Sequence, residues 1–203
     1  MPSWLGAVLG VAFAAAAIAQ PTAARAQIGA ELLNSQRIEQ AFGSYGIEVL
    51  ESDETIRVSN LYSIEAQGEI CRTFAVVRYP DRIDPLFSTE HRLILDGGSI
   101  GAVFTARGWK VEKFHRHYGE VPATNKVARL MRTASSSRLA VHVYALEVSK
   151  ADARFQYAMI VEVHHPDYLS SAELAEIYGP VVMTAEDHAT AELLAIAADK
   201  MAR

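Results

Sequence analysis

One string in the sequence has the pattern of a nucleophilic serine: Gly-Gly-Ser-Ile-Gly at residues 97–101. In hydrolases a G-x-S-x-G turn leads from an apolar strand into a helix and exposes the serine side chain. Asp167 and His188 follow along the chain and would supply the acid and the base. The alternative is a break between two helices, in which the glycines take unusual dihedral angles and Ser99 caps the second helix. The apolar run before the turn is only three residues long, which favours the helix break.

Two histidines, His115 and His117, have the spacing of metal ligands on a strand. Residues two apart on a strand project from one face, with Cα atoms about 6.5–7 Å apart, so both rings can reach one ion. A Zn²⁺ or Cu²⁺ site needs about three ligands. The third would come from a neighbouring strand, where the candidates are His142, Glu162, His164 and His165. Charged residues surround the pair, as in a solvated edge strand, so both histidines stay candidates and no cofactor is assigned.

Three basic residues lie on this same predicted strand of an acidic protein: Lys110, Lys113 and Arg116. They would form an anion-binding patch if they shared one face. Strand alternation puts Lys113 on the opposite face from the other two. A solvated edge that discourages pairing with another strand is therefore the favoured interpretation.

Strand and helix signals alternate along the chain. Strands are predicted at 47–51, 56–64, 70–79, 109–118, 139–149 and 154–165. Helices are predicted at 31–42, 84–95, 99–106, 124–132 and 170–178, with a last helix that starts at Thr184. Hairpins interspersed with helices predict an α+β domain, with an antiparallel sheet of about six strands and helices packed on one face.

The two halves of the chain follow the same plan. Tyr-Pro-Asp at 79–81 and His-Pro-Asp at 165–167 each follow a predicted hairpin and precede a helix. Tandem duplication of a unit of three strands and one helix explains this repetition. Coincidence explains it equally well, because Pro-Asp is a common junction between a strand and a helix.

Two predicted strand segments, Leu139–Val148 and Tyr157–Val163, are apolar at both odd and even positions. A sheet with one solvated face alternates between apolar and polar residues. The second face must therefore be covered by a helix, a partner subunit or an apolar ligand. This observation favours a non-catalytic module that binds a protein partner or a small ligand, with the Ser99 hydrolase and the His115–His117 metal protein as alternatives.

The composition excludes several classes of protein. The chain has 203 residues, of which 50% are hydrophobic and 21% charged, with a net charge of −5. These values exclude a disordered, collagen-like or polytopic membrane protein, and the acidic balance argues against nucleic-acid binding. The single cysteine, Cys71, excludes an internal disulfide framework, and its place on an apolar strand face predicts a packed core residue.

The N-terminus has the features of a cleavable secretory signal. Leu5–Ile18 is apolar and without charge, and it is followed by Ala24-Arg25-Ala26, an A-x-A-type cleavage site. A cut after Ala19 is the alternative. The sequence thus predicts a signal peptide at 1–26, one α+β domain at 27–203, and a periplasmic or secreted protein without a membrane anchor after cleavage.

Overall fold

The computed structural model describes residues 32–181 and 187–202. The predicted signal peptide and the predicted helix start at Thr184 lie outside these ranges. Within them, no helix is both long and apolar enough to cross a membrane. Export therefore stays a prediction from the sequence.

Six antiparallel strands form one sheet in the order β1-β2-β3-β6-β5-β4. Their bounds are β1 Gly46–Ser52, β2 Ile56–Glu65, β3 Gly68–Arg78, β4 Lys110–Pro122, β5 Arg138–Lys150 and β6 Ala153–His164. Each half of the chain contributes three consecutive strands, and the two halves meet where β3 pairs with β6. The predicted α+β class and the six-stranded antiparallel sheet are confirmed, whereas the tandem duplication stays a prediction.

Six α-helices accompany the sheet in the described ranges. They are α1 Asn34–Phe42, α2 Ser88–Leu95, α3 Ile100–Ala106, α4 Asn125–Met131, α5 Ser171–Tyr178 and α6 His188–Ala202. Local sequence sets two of the starts. The Asp84 side chain accepts a hydrogen bond from the Leu86 amide in the 3-10 turn before α2, and Ser170 and Glu173 form both bonds of a capping box at α5.

The helices cover both faces of the sheet rather than one. On the first, the α6 face, Val76 and Val161 pack with α4 and with Leu193 of α6. On the second, the α3 face, Val77 and Ile160 pack with α2 and α3, while α1 and α5 join a neighbouring cluster on the same side. Helix cover on both sides explains why the central strands are apolar at odd and even positions.

Replacement of Leu193 tests the packing of α6 on the sheet. The Leu193 side chain is fully buried, whereas that of Leu86 is 64% exposed. We expect Leu193→Ala to lower the free energy of unfolding by about 2–5 kcal/mol, because it leaves a cavity between α6 and the sheet. The same change at the exposed position, Leu86→Ala, should cost less than about 0.5 kcal/mol. Urea unfolding measures both, and equally small losses would show that α6 does not cover this face.

Candidate functional site

A pocket opens on the α3 face of the sheet, between the start of α1 and the start of α3. About 570 Å³ of empty space lies within its outline, a figure that includes open solvent at its mouth. Its floor is the sheet, and the apolar residues there include Leu61, Ala75, Val77, Leu146 and Ile160. The charged residues of the lining are Arg57, Lys113 and Glu162. The pocket is therefore an apolar cleft that a few charged groups enter.

Arg57 on β2 fixes the rim of this pocket. Its side chain is almost fully buried, and its Nη1 donates to the carbonyl oxygens of Ile94 at 2.9 Å and Gly98 at 2.8 Å. Its Nε donates to the Ser59 hydroxyl at 3.0 Å. A cation is favourable at the end of α2, where backbone carbonyls lack helical partners. Arg57 thus ties the turn between α2 and α3 to the sheet.

The Gly-Gly-Ser-Ile-Gly string forms this turn between two helices, as the favoured interpretation of the sequence predicts. The apolar run at 93–95 belongs to the last turn of α2, so the strand that a nucleophile elbow needs is not there. Ser99 occupies the N-cap position of α3 and lines the pocket. His188 begins α6, which packs on the other face, and Asp167 is exposed beyond the end of β6. The fold therefore does not assemble the predicted acid and base beside Ser99.

Backbone geometry explains two of the glycines in this string. Gly97 has a φ of +107°, a conformation that side chains disfavour. A Cβ on Gly101 would lie 2.6 Å from Cδ2 of Leu33, so its absence lets α3 approach the start of α1. Gly101 lines the pocket, so this close approach shapes its wall.

The polar end of the pocket is built around Glu162 on β6, a residue that is 5% exposed. Asn34 Nδ2 and the Tyr144 hydroxyl both donate to its Oε1 at 3.0 Å, and Lys113 Nζ lies 4.0 Å from its Oε2. Burial opposes ionisation of this carboxyl group. Lys113, His164 and the Tyr144 hydrogen bond outweigh burial and hold the pKa of Glu162 below its usual value. Glu162 is thus a buried carboxylate at neutral pH.

Two histidines flank the same carboxylate. His142 on β5 lies directly opposite Glu162 in the strand register, and His164 follows Glu162 by two residues on β6. Oε2 of Glu162 is 3.8 Å from Nδ1 of His142 and 3.9 Å from Nε2 of His164. A third histidine, His115 on β4, shares a 2.8 Å hydrogen bond between its Nδ1 and Nε2 of His142.

These imidazoles are neutral at neutral pH. Burial lowers the pKa of His115 and of His164 to about 4, and it lowers the pKa of His142 well below the ordinary value. The positive charge of Lys113 acts in the same direction on all three. Neutral imidazole is the form that coordinates metal ions.

The predicted pairing of His115 with His117 is wrong, because a bulge in β4 separates them. In the register, His115 lies opposite Tyr144 and His117 lies opposite Val143, so Arg116 is an extra residue. A bulge of one residue reverses the alternation of side chains along a strand. His115 therefore faces the Glu162 cluster on the α3 face, and His117 projects from the α6 face.

Lys113 belongs to the pocket rather than to a solvated edge. As predicted, β4 is an edge strand, and Lys110 is exposed and pairs with Glu112. The side chain of Lys113 is only 12% exposed, and its Nζ lies 4.6 Å from the centre of the Tyr144 ring. Strand alternation separated Lys113 from its basic neighbours correctly, but it gave no sign that the residue is buried.

One sequence signal could have found the cluster. Glu162 and His164 have the same two-residue spacing as His115 and His117, but no bulge separates them in the register. His142 was one of the expected third ligands. Asn34 and Lys113 carry no such signal, because long-range packing alone brings them to the carboxylate.

Cys71 is buried in the core and is 1% exposed, as predicted. It packs in the cluster of the α6 face, because a register shift in the pairing of β2 with β3 skips Arg72. Burial raises the pKa of the thiol well above its ordinary value. The thiol is therefore a packed group rather than a nucleophile.

Comparison with known proteins adds no function. The chain matches no family model and no curated protein. It is similar to a solved transcriptional regulator of the GntR family from Bacillus cereus, with 13% identity and a TM-score of 0.42 over 63% of this chain and 95% of that one. It is also similar to the C-terminal domain of Yurk from Bacillus subtilis, with 15% identity and a TM-score of 0.37 over 63% and 91% of the two chains.

The histidines predict a loss of stability in mild acid. Burial lowers the pKa of six of them in the folded protein: His91, His115, His117, His142, His164 and His165. The unfolded chain binds protons at about pH 6.5, before the folded protein does, so the free energy of unfolding should decrease as the pH falls from about 6.5 towards 4. The lowered pKa of Glu162 acts in the same direction at the acid end of this window. Urea unfolding in EDTA at pH 7.5 and at pH 5 measures the effect, and equal stabilities would contradict it.

Proposed function

We propose that this protein binds a small, largely apolar molecule in the pocket on the α3 face. The observation that carries the proposal is the pocket itself, whose apolar floor and few inward charged groups are typical of small-molecule sites. Binding without catalysis agrees with the surroundings of Ser99 described above.

The charges of the lining indicate the chemistry of the ligand. Lys113 and Glu162 offset each other at one end of the pocket. Arg57 has no carboxylate within 4 Å among the described residues, and backbone carbonyls and Ser59 hold its guanidinium, so the lining carries a net formal charge of +1. A molecule with an apolar body and one anionic group therefore matches the pocket better than a neutral or cationic molecule of the same shape.

A pair of fluorescent naphthalene probes tests this proposal. The anionic probe is 8-anilino-1-naphthalenesulfonate, and its neutral counterpart is N-phenyl-1-naphthylamine. We expect one saturable site for the sulfonate on the folded protein, with affinity several-fold higher than that of the neutral probe. Fluorescence titration measures both. The preference should persist in added salt, because salt screens a charge as buried as that of Arg57 much less than an exposed one.

Three variants locate the probe. Ala75→Leu adds bulk to the pocket floor and should abolish the site, whereas Ala189→Leu makes the same change on the exposed side of α6 and should leave it intact. Ser99→Leu narrows the rim of the pocket and replaces Ala75→Leu in the test if that variant unfolds. The Ser99 side chain makes no capping hydrogen bond, so we expect this change to preserve α3. Equal probe affinity in all three variants, or no binding by the unaltered protein, would overturn the proposal.

A further inference from the structure

We propose that His142, Glu162 and His164 form a binding site for one divalent transition-metal ion. Each residue directs one possible ligand atom into the same space, and the three atoms lie within 4.8 Å of one another. Nδ1 of His142 and Nε2 of His164 are buried and have no hydrogen-bond partner among the residues that the structure describes. Buried polar atoms without partners are rare in proteins and costly in free energy. Two of them beside one carboxylate oxygen therefore indicate that a further group binds between them.

The other polar atom of each of these three side chains already has a hydrogen-bond partner. His142 shares its Nε2 with His115, and the Nδ1 of His164 lies 3.0 Å from the Thr73 hydroxyl. The Oε1 of Glu162 accepts hydrogen bonds from Asn34 and Tyr144. Metal-binding histidines and carboxylates typically have such second partners, which fix the orientation of the ligand atom.

The spacing of the inner atoms is close to that of a loaded site. Bonds of about 2.0–2.1 Å in a tetrahedral zinc site put neighbouring ligand atoms roughly 3.4 Å apart. Here Oε2 of Glu162 lies 3.8 Å and 3.9 Å from the two imidazole nitrogens. A contraction of about half an ångström would bring Oε2 to this distance from each nitrogen, and the two nitrogens themselves lie within 4.8 Å of each other.

The donor set selects the class of ion. Two neutral imidazoles and one carboxylate suit Zn²⁺, Cu²⁺, Ni²⁺, Co²⁺ or Fe²⁺ better than Mg²⁺ or Ca²⁺, which prefer all-oxygen ligands. Three protein ligands leave a fourth position for water. Glu162 lines the pocket, which provides a path from solvent to the buried ligands. The metal site does not require an organic ligand in that pocket.

Lys113 is the competitor of the metal ion. Within residues 32–181 and 187–202 its Nζ has no hydrogen-bond partner. It lies 4.0 Å from the same Oε2 of Glu162, so it supplies the positive charge when no ion is bound. Coulomb repulsion between Lys113 and a bound dication weakens metal binding. Removal of the ammonium group in Lys113→Met should therefore raise the affinity, roughly tenfold.

Titration of the EDTA-treated protein with Zn²⁺ by calorimetry tests the site. We expect one equivalent per chain, together with the intense absorption of four-coordinate Co²⁺ when Co²⁺ replaces Zn²⁺. His164→Gln should abolish this binding. His115→Gln, which alters the support of His142 but removes no ligand, should weaken it by roughly 10- to 100-fold. His188→Gln is the matched control, because this histidine is exposed at the start of α6.

Lys113→Met keeps the test decisive if His164→Gln fails to fold. Tighter Zn²⁺ binding by Lys113→Met supports the site, since a surface site would not respond to this buried residue. No stoichiometric binding by the unaltered protein, or the same affinity in His164→Gln and in His188→Gln, would overturn the proposal. The fluorescent probes report on the pocket independently, so failure of either proposal can be told from failure of the other.

Discussion

The arrangement of the α3 face depends on one buried negative charge, the carboxylate of Glu162. A carboxylate in an apolar sheet is costly unless charges and hydrogen bonds replace the water that it loses. Three elements contribute: α1 provides Asn34, β4 provides Lys113 and β5 provides Tyr144. The need to compensate Glu162 thus links the first helix, an edge strand and the centre of the sheet.

The local features of the chain were predictable from the sequence, because short-range chemistry sets them. Asp84 before the proline-led turn and the Ser170 capping box fix helix starts through bonds within a few residues. Helix cover on the second face was one of three explanations for the doubly apolar strands. The choice among a helix, a partner and a ligand depends on long-range packing, which residue order alone does not settle.

The site was less predictable, because it depends on register. A single extra residue at Arg116 moves His117 to the other face and leaves His115 in the cluster. The regular alternation of side chains holds on β6, where Glu162 and His164 do share a face. Metal binding therefore stays a proposal, with ligands other than the predicted pair. The new ligands come from the residues that the sequence had suggested only as candidates for a third ligand.

The central claim is that the space between the two imidazoles and Glu162 accepts a metal ion, and diffraction on both sides of the zinc absorption edge tests it most directly. Crystals grown with one equivalent of Zn²⁺ should show a single anomalous peak about 2 Å from Nδ1 of His142, Nε2 of His164 and Oε2 of Glu162. The ammonium group of Lys113 should then lie further from the carboxylate than 4.0 Å. No peak at this position, with Lys113 still beside Glu162, would contradict the claim and leave the lysine as the permanent partner of the carboxylate.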